Sequence, residues 1–93
     1  MRLAVCDDDR AIREELIRLI QRQVPEADIA EYPSGEELIH AKGNFDIYFL
    51  DIEMGRVSGM DIAGRIREQE ERGRQRSIII FVTGYREYME AAF

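Results

Sequence analysis

Three apolar runs in this 93-residue chain end in side chains that carry oxygen. Asp7-Asp8-Asp9 follows "RLAVC", Asp51 follows Ile47-Tyr48-Phe49-Leu50 with Glu53 two residues on, and Thr83-Gly84 follows "SIIIFV". A buried strand normally ends in a neutral turn residue, so a carboxylate delivered by the most apolar stretch needs a reason. Carboxylates crowded together raise one another's pKa unless a cation compensates them. Hard oxygen donors with no histidine among them suit Mg²⁺ or Mn²⁺ better than zinc. A carboxylate beside such a cation, with a hydroxyl on the next strand, can act as a phosphoryl acceptor and form an acyl phosphate. Asp51 is the candidate acceptor and Asp7 and Asp8 are candidate metal ligands. Thr83 can hydrogen-bond one phosphoryl oxygen, and the main-chain amide of Gly84 another.

This chemistry requires the strand ends to meet. "RLAVC" (Arg2 to Cys6) reads as a first strand. "RAIREELIRLIQRQV" carries Ile12, Leu16, Leu19 and Ile20 at helical spacing, with Asp9 as N-cap and a stop near Val24 imposed by Pro25. "DIAEY" is a short second strand with the polar members of an edge. Ser34-Gly35-Glu36-Glu37 fits a capping box opening a short helix towards Ala41. Asp46 to Leu50 is a third strand whose non-alternating run suits burial on both faces. Met60 to about Glu71 reads as a third helix with Ile62, Ala63 and Ile66 inside, stopped by Gly73. Ser77 to Thr83 is expected as a fourth buried strand, and "GYREYMEAAF" as a fourth helix with Tyr85, Tyr88, Met89 and Ala92 on one side.

Strict β-α alternation predicts an α/β fold, an open parallel sheet with helices on both faces. The flavodoxin-like order, with strand 1 between strands 2 and 3, is the expected one. Ligands in such sheets bind beyond the carboxyl ends of the strands. Neighbouring strands lie about 4.8 Å apart, so Asp7, Asp8 and Asp51 then share one small pocket.

Composition narrows the function. Apolar residues make up 45% and charged residues 34%, a globular balance, and the length suits one small domain. The net charge of −6 argues against a nucleic-acid surface on this stretch of chain. Single Cys6 cannot form an internal disulfide, which favours a reducing compartment. The longest apolar run, Ile78 to Val82, is far below the ~20 residues a bilayer requires, and "MRLAVC" is too short for a signal-peptide core. The expectation is a soluble cytoplasmic domain with no membrane partner. Cys6 reads as core, and His40 as a surface helix residue.

"LAVCDDD", "IYFLDIEMGRVSGMDIAGRIR" and "SIIIFVTG" together resemble the receiver (CheY-like) domain of bacterial response regulators. In that family an acidic pair follows strand 1, the phospho-accepting Asp ends strand 3, and Thr or Ser ends strand 4; here these are Asp7 and Asp8, Asp51, and Thr83. The resemblance implies Mg²⁺ held by Asp8, Asp51 and the main-chain carbonyl of Glu53, with Asp7 acting through water, and a histidine kinase as phosphoryl donor. "DIYFLDIEM" and "VTGYREYMEAAF" are most similar to the subgroup with a LytTR-type DNA-binding output. It also implies a regulatory rather than enzymatic role, in transcription, with DNA met only through an output domain outside this chain.

Two departures stand out. Met54-Gly55 replaces the Met-Pro found in many receivers, which is expected to loosen the loop. The family's fifth strand, ending in a Lys, and fifth helix have no counterpart before Phe93; Lys42, the single lysine, falls in or just after the second helix. The chain therefore reads as a partial receiver of four strands and four helices, with the Ile78–Val82 strand an open apolar edge that favours a homodimer or larger assembly. Two other readings compete: a non-phosphorylated interaction module on the same fold, and an aspartyl-nucleophile phosphatase of the haloacid dehalogenase type. The latter places Asp-x-Asp after its first strand, whereas here the candidate nucleophile follows the third.

Overall fold

A computed structural model of the chain describes residues 1–41, 43–73 and 76–82. Its elements alternate throughout: β1 (Arg2–Cys6), α1 (Arg10–Gln23), β2 (Asp28–Tyr32), α2 (Gly35–Ala41), β3 (Ile47–Asp51), α3 (Gly59–Glu70) and β4 (Ile78–Val82). The strands form one parallel sheet in the order β2-β1-β3-β4, which puts strand 1 between 2 and 3 as expected. The expected fourth helix, with Tyr85, Tyr88, Met89 and Ala92, lies outside the described residues, as do Lys42, Thr83 and Gly84.

Side chains on a strand alternate between faces, and the central strands use both. Ala4 and Cys6 of β1 join Tyr48 and Leu50 of β3, Leu38 of α2, and Ile62 and Ile66 of α3 in the larger core. Leu3 and Val5 face the other way, onto Ile20, Leu16 and Ile17 of α1, with Ile47 and Phe49 beside them. Leu3, Val5, Cys6, Leu50 and Ile62 are the largest fully buried side chains, so β1 and β3 are the structural centre.

The helix starts follow local chemistry. The Asp9 carboxylate accepts from the amides of Ala11 (2.9 Å) and Ile12 (3.3 Å), capping α1 as expected. Ser34 Oγ accepts from Glu37 N at 3.2 Å at the start of α2. Ser58 caps α3 in a reciprocal box with Asp61, and Gly73, at φ +107°, follows its end. At the far end of α3, Arg67 and Glu70 clamp the start of β4. Glu70 Oε2 accepts from Ser77 N at 2.7 Å, and Arg67 Nη1 donates to Ser77 O at 2.8 Å. Burial alone would push the Glu70 carboxyl up, but the Ser77 hydrogen bonds and the Arg67 guanidinium hold it below the usual carboxylate range.

Two expectations need correction. The buried stripe of α1 is Leu16, Ile17 and Ile20, while Leu19 is 51% exposed. Positions 13, 16, 17 and 20 follow the i, i+3, i+4, i+7 rule of a single face, and Leu19 lies off it. Second, β4 is not buried on both faces: Ile78 is 58% exposed and Ile80 and Phe81 are 39% exposed. Among the described residues β4 pairs only with β3, and Ile78 and Ile80, beside Ile47 and Phe49, sit past the reach of α1. The loop after Asp51 turns on its glycine. Gly55 adopts φ +55° inside a turn closed by Val57 N to Met54 O at 3.2 Å. Proline, fixed near φ −65°, could not occupy that position.

The corrected phase of α1 is testable by urea unfolding. Ile20→Ala should lower stability by about 2–4 kcal/mol, as expected for emptying a buried site. Leu19→Gln should change it by no more than about 0.5 kcal/mol.

Candidate functional site

The parallel register of β1 and β3 pairs Cys6 with Leu50, so the next residues, Asp7 and Asp51, leave the sheet side by side. With Asp8 they form an acidic cluster in which one carboxylate oxygen from each residue lies within 4.8 Å of the others. Asp7 and Asp51 are buried, at 2% and 8% exposure, and Asp8 is open to solvent.

The main chain fixes most of this arrangement. Asp7 N donates to Tyr32 O of β2 at 3.2 Å. Asp7 Oδ1 accepts from Asp9 N at 2.9 Å, and Asp7 O accepts from Arg13 Nη1 at 2.9 Å. Asp51 Oδ1 accepts from Glu53 N at 3.3 Å. On the other side, Gly59 N donates to Ile52 O at 2.9 Å, bringing the start of α3 against the end of β3. A Cβ on Gly59 would lie 2.2 Å from Asp51 O. Only glycine permits this approach.

Burial pushes the Asp51 carboxyl up to about 6, and the Asp7 charge beside it adds to the effect. Asp7 is also raised, again chiefly by burial. The two acids resist being ionised together, as like charges in a shared site must. Burial and the neighbouring aspartates raise the Cys6 thiol to about 12, so it stays protonated; it contacts Met54 Sδ at 3.4 Å and is core, as expected.

The structure therefore brings together Asp7, Asp8 and Asp51. The Glu53 side chain is exposed and lies outside the cluster, and Thr83 and Gly84 fall outside the described residues. Two contributors escaped the sequence reading. Arg13 sits behind the β1–α1 turn at 12% side-chain exposure, held by Glu31 Oε1 at 3.2 Å. It occupies the α1 stripe position preceding Leu16, Ile17 and Ile20, a signal that appears only once the stripe is phased by packing. Gly59 offered only a glycine in the first turn of a helix.

The donor set fits a small hard cation. Among the described residues, Asp7 Oδ2 is buried with no hydrogen-bond partner, an arrangement that is costly unless something else satisfies the oxygen. The oxygen-only cluster and its spread suit an ion that keeps several of its waters.

A parallel sheet of this order, with an acidic pair after β1 and an aspartate ending β3, defines a CheY-like receiver fold. The family model for the response regulator receiver domain matches residues 3–93, and the chain belongs to that family. The sensory transduction protein LytT of Oceanobacillus iheyensis is 36% identical over 98% of this chain. The transcriptional regulatory protein BtsR of Salmonella typhi is 34% identical over the whole of this chain. The chain spans 37% and 38% of the length of these two relatives. The response regulator TrrA of Thermotoga maritima, solved with Mg²⁺-BeF, is 35% identical with a TM-score of 0.76, over 96% of this chain and 74% of that one. TrrA has also been solved in complex with the histidine kinase ThkA, where the match is 36% identical with a TM-score of 0.76, over 94% of this chain and 72% of that one. No helix among the described residues is long and apolar enough to cross a membrane.

The raised carboxyls make a signed prediction. The folded chain holds the Asp51 proton more tightly than the unfolded chain does. This contribution is thus fully present below about pH 4 and lost as pH rises through about 6. Glu70, held low, acts in the opposite sense only at more acid pH. In EDTA the chain should therefore be more stable to urea at pH 5 than at pH 7. Asp51→Asn should remove most of that difference and stabilise the metal-free protein at pH 7 by about 1 kcal/mol. An unchanged pH difference in the variant would place the repulsion elsewhere.

Proposed function

We propose that this chain is a phospho-accepting receiver of a two-component system and that Asp51 is its acceptor. The observation that carries this reading is the cluster of Asp7, Asp8 and Asp51 oxygens, with Asp7 Oδ2 buried and unpartnered among the described residues. A carboxylate oxygen of Asp51 attacks the phosphorus of a kinase phosphohistidine. The P–N bond breaks, the imidazole leaves, and an acyl phosphate remains on Asp51. Asp8, Asp51 and the main-chain carbonyl of Glu53 would hold Mg²⁺ (or Mn²⁺), with Asp7 acting through water. The bound cation supplies charge neutralisation for the phosphoryl oxygens. Thr83 and the Gly84 amide would receive the phosphoryl group from the β4 side.

The solved relative bound to Mg²⁺-BeF and the same relative in complex with its kinase support the metal and the partner. The relatives named for sensory transduction and transcriptional regulation support a transcriptional output through a LytTR-type DNA-binding domain outside this chain. A regulatory role in the cytoplasm, without turnover of a free substrate, follows from the same reading. The test is incubation with a phosphorylated histidine kinase and Mg²⁺, read by intact mass and peptide mapping. In a receiver that also carries the fifth strand and its Lys, one phosphoryl group should appear on Asp51, none in Asp51→Ala, and none in EDTA; this stretch of chain alone should be labelled slowly or not at all. Labelling that survives Asp51→Ala would overturn the assignment. Absence of any labelling in the longer protein would favour the interaction module, and steady hydrolysis of a generic phosphate ester the phosphatase.

Self-association belongs to this proposal. Ile78, Ile80 and Phe81 are exposed on β4, an edge strand among the described residues, and an apolar edge templates pairing with a second chain. Light scattering across a dilution series of this chain should report a dimer or larger assembly. A monomer at every concentration would count against it.

A further inference from the structure

Asp8 differs from its two partners in how it is held. Asp7 and Asp51 are buried at the ends of paired strands, whereas Asp8 is exposed and no hydrogen bond among the described residues restrains its carboxylate. Its position therefore depends on the main chain of the β1–α1 turn. Asp7 N is bound to Tyr32 O, Asp9 N to Asp7 Oδ1, and the Asp9 carboxylate to the first amides of α1. The remaining freedom is rotation of the peptide plane between Asp7 and Asp8. One contact removes it: Arg13 Nη1 donates to Asp7 O at 2.9 Å. Because a trans peptide is planar, fixing the carbonyl on one side fixes the Asp8 amide and Cα on the other. Arg13 is itself anchored. It is nearly buried, and its Nε donates to Glu31 Oε1 of β2, the strand paired to β1 on the side away from β3.

We infer that Arg13, braced by Glu31, is a positioning residue that sets the Asp7–Asp8 peptide and so holds Asp8 in place for the cation. The inference rests on the reading of the acidic cluster as a Mg²⁺ site. It runs against the effect of charge alone. A guanidinium near three carboxylates repels an incoming cation, so if Arg13 acted only through its charge, removing it would tighten Mg²⁺ binding. If it acts by holding the turn, removing it weakens binding. The two roles predict opposite signs.

The experiment is Mg²⁺ titration of the chain and its variants at pH 7.5, followed by amide NMR shifts of Asp8 and Asp9, with urea unfolding as a control for folding. Arg13→Met keeps the aliphatic packing and loses both donors. It should weaken Mg²⁺ affinity about five- to tenfold and move the Asp8 amide resonance in the metal-free state. Arg13→Lys, which keeps a charged donor within reach of Asp7 O, should recover most of the affinity. Should Arg13→Met fail to fold, Arg13→Gln carries the test: it removes the positive charge and is too short to reach Asp7 O from the same backbone, and it should weaken binding in the same sense, about twofold. Unchanged or tighter Mg²⁺ binding in Arg13→Met, or in Arg13→Gln where Arg13→Met does not fold, overturns the inference. The underlying reading fails differently: the parent chain would then bind no Mg²⁺, or would bind it undiminished in Asp8→Asn. Mg²⁺ bound by the parent, lost in Asp8→Asn and unaltered by Arg13→Met would overturn the role of Arg13 alone.

Discussion

The constraint on which this structure turns is electrostatic: three carboxylates are held within a few ångströms of one another, two of them out of water. Such a cluster disperses unless the surrounding structure forbids it. What forbids it here is the pairing of β1 with β3, the two most deeply buried strands. Leu3, Val5, Cys6 and Leu50 lie directly beneath the acidic residues and are essentially inaccessible. The apolar burial of these strands offsets the repulsion at their ends, so the unfavourable charge arrangement is confined to one edge of the sheet.

The walls of the site are built from backbone more than from side chains. Gly59 lets the first turn of α3 approach the Asp51 carbonyl, Gly55 closes the following loop through a left-handed turn, and the Tyr32 carbonyl fixes the start of the β1–α1 turn. Main-chain contacts have few soft degrees of freedom, so the acidic oxygens hold a defined spacing even though Asp8 is exposed. The opposite end of the sheet is secured separately, by the Arg67–Glu70 clamp on Ser77.

The acidic cluster was legible in the sequence because a strand has a definite end: an apolar run followed at once by aspartate places the carboxylate at the sheet edge, and the flavodoxin-like order expected for this alternation makes strands 1 and 3 neighbours. The phase of α1 was not legible. Ile12, Leu16, Ile17, Leu19 and Ile20 offer two overlapping stripes, and only packing against Leu3 and Val5 selects the one with Ile17 inside and Leu19 outside. Arg13 was hidden by the same ambiguity, since a charge in the first turn of a helix reads as solvated until the stripe is phased. The role of Gly59 depends on an atom of β3 that no local pattern encodes. The exposure of β4 is likewise a tertiary fact, because "IIIFV" has the composition of a buried strand and lacks the cover.

The central place of β1 also bears on how the chain folds as it is made. β1 is synthesised first, yet its two neighbours are β2 and β3, and β3 ends at Asp51. Two paired strands on their own are only marginally stable in water. While the first half of the chain emerges from the ribosome, Ala4 and Cys6 have α2 but not β3 or α3 to cover them. The sheet closes, and its aspartates are first forced together, only once β3 docks on β1. Assembly of the acidic cluster therefore coincides with commitment to the fold, and the nascent chain carries a sticky, half-covered strand until that moment.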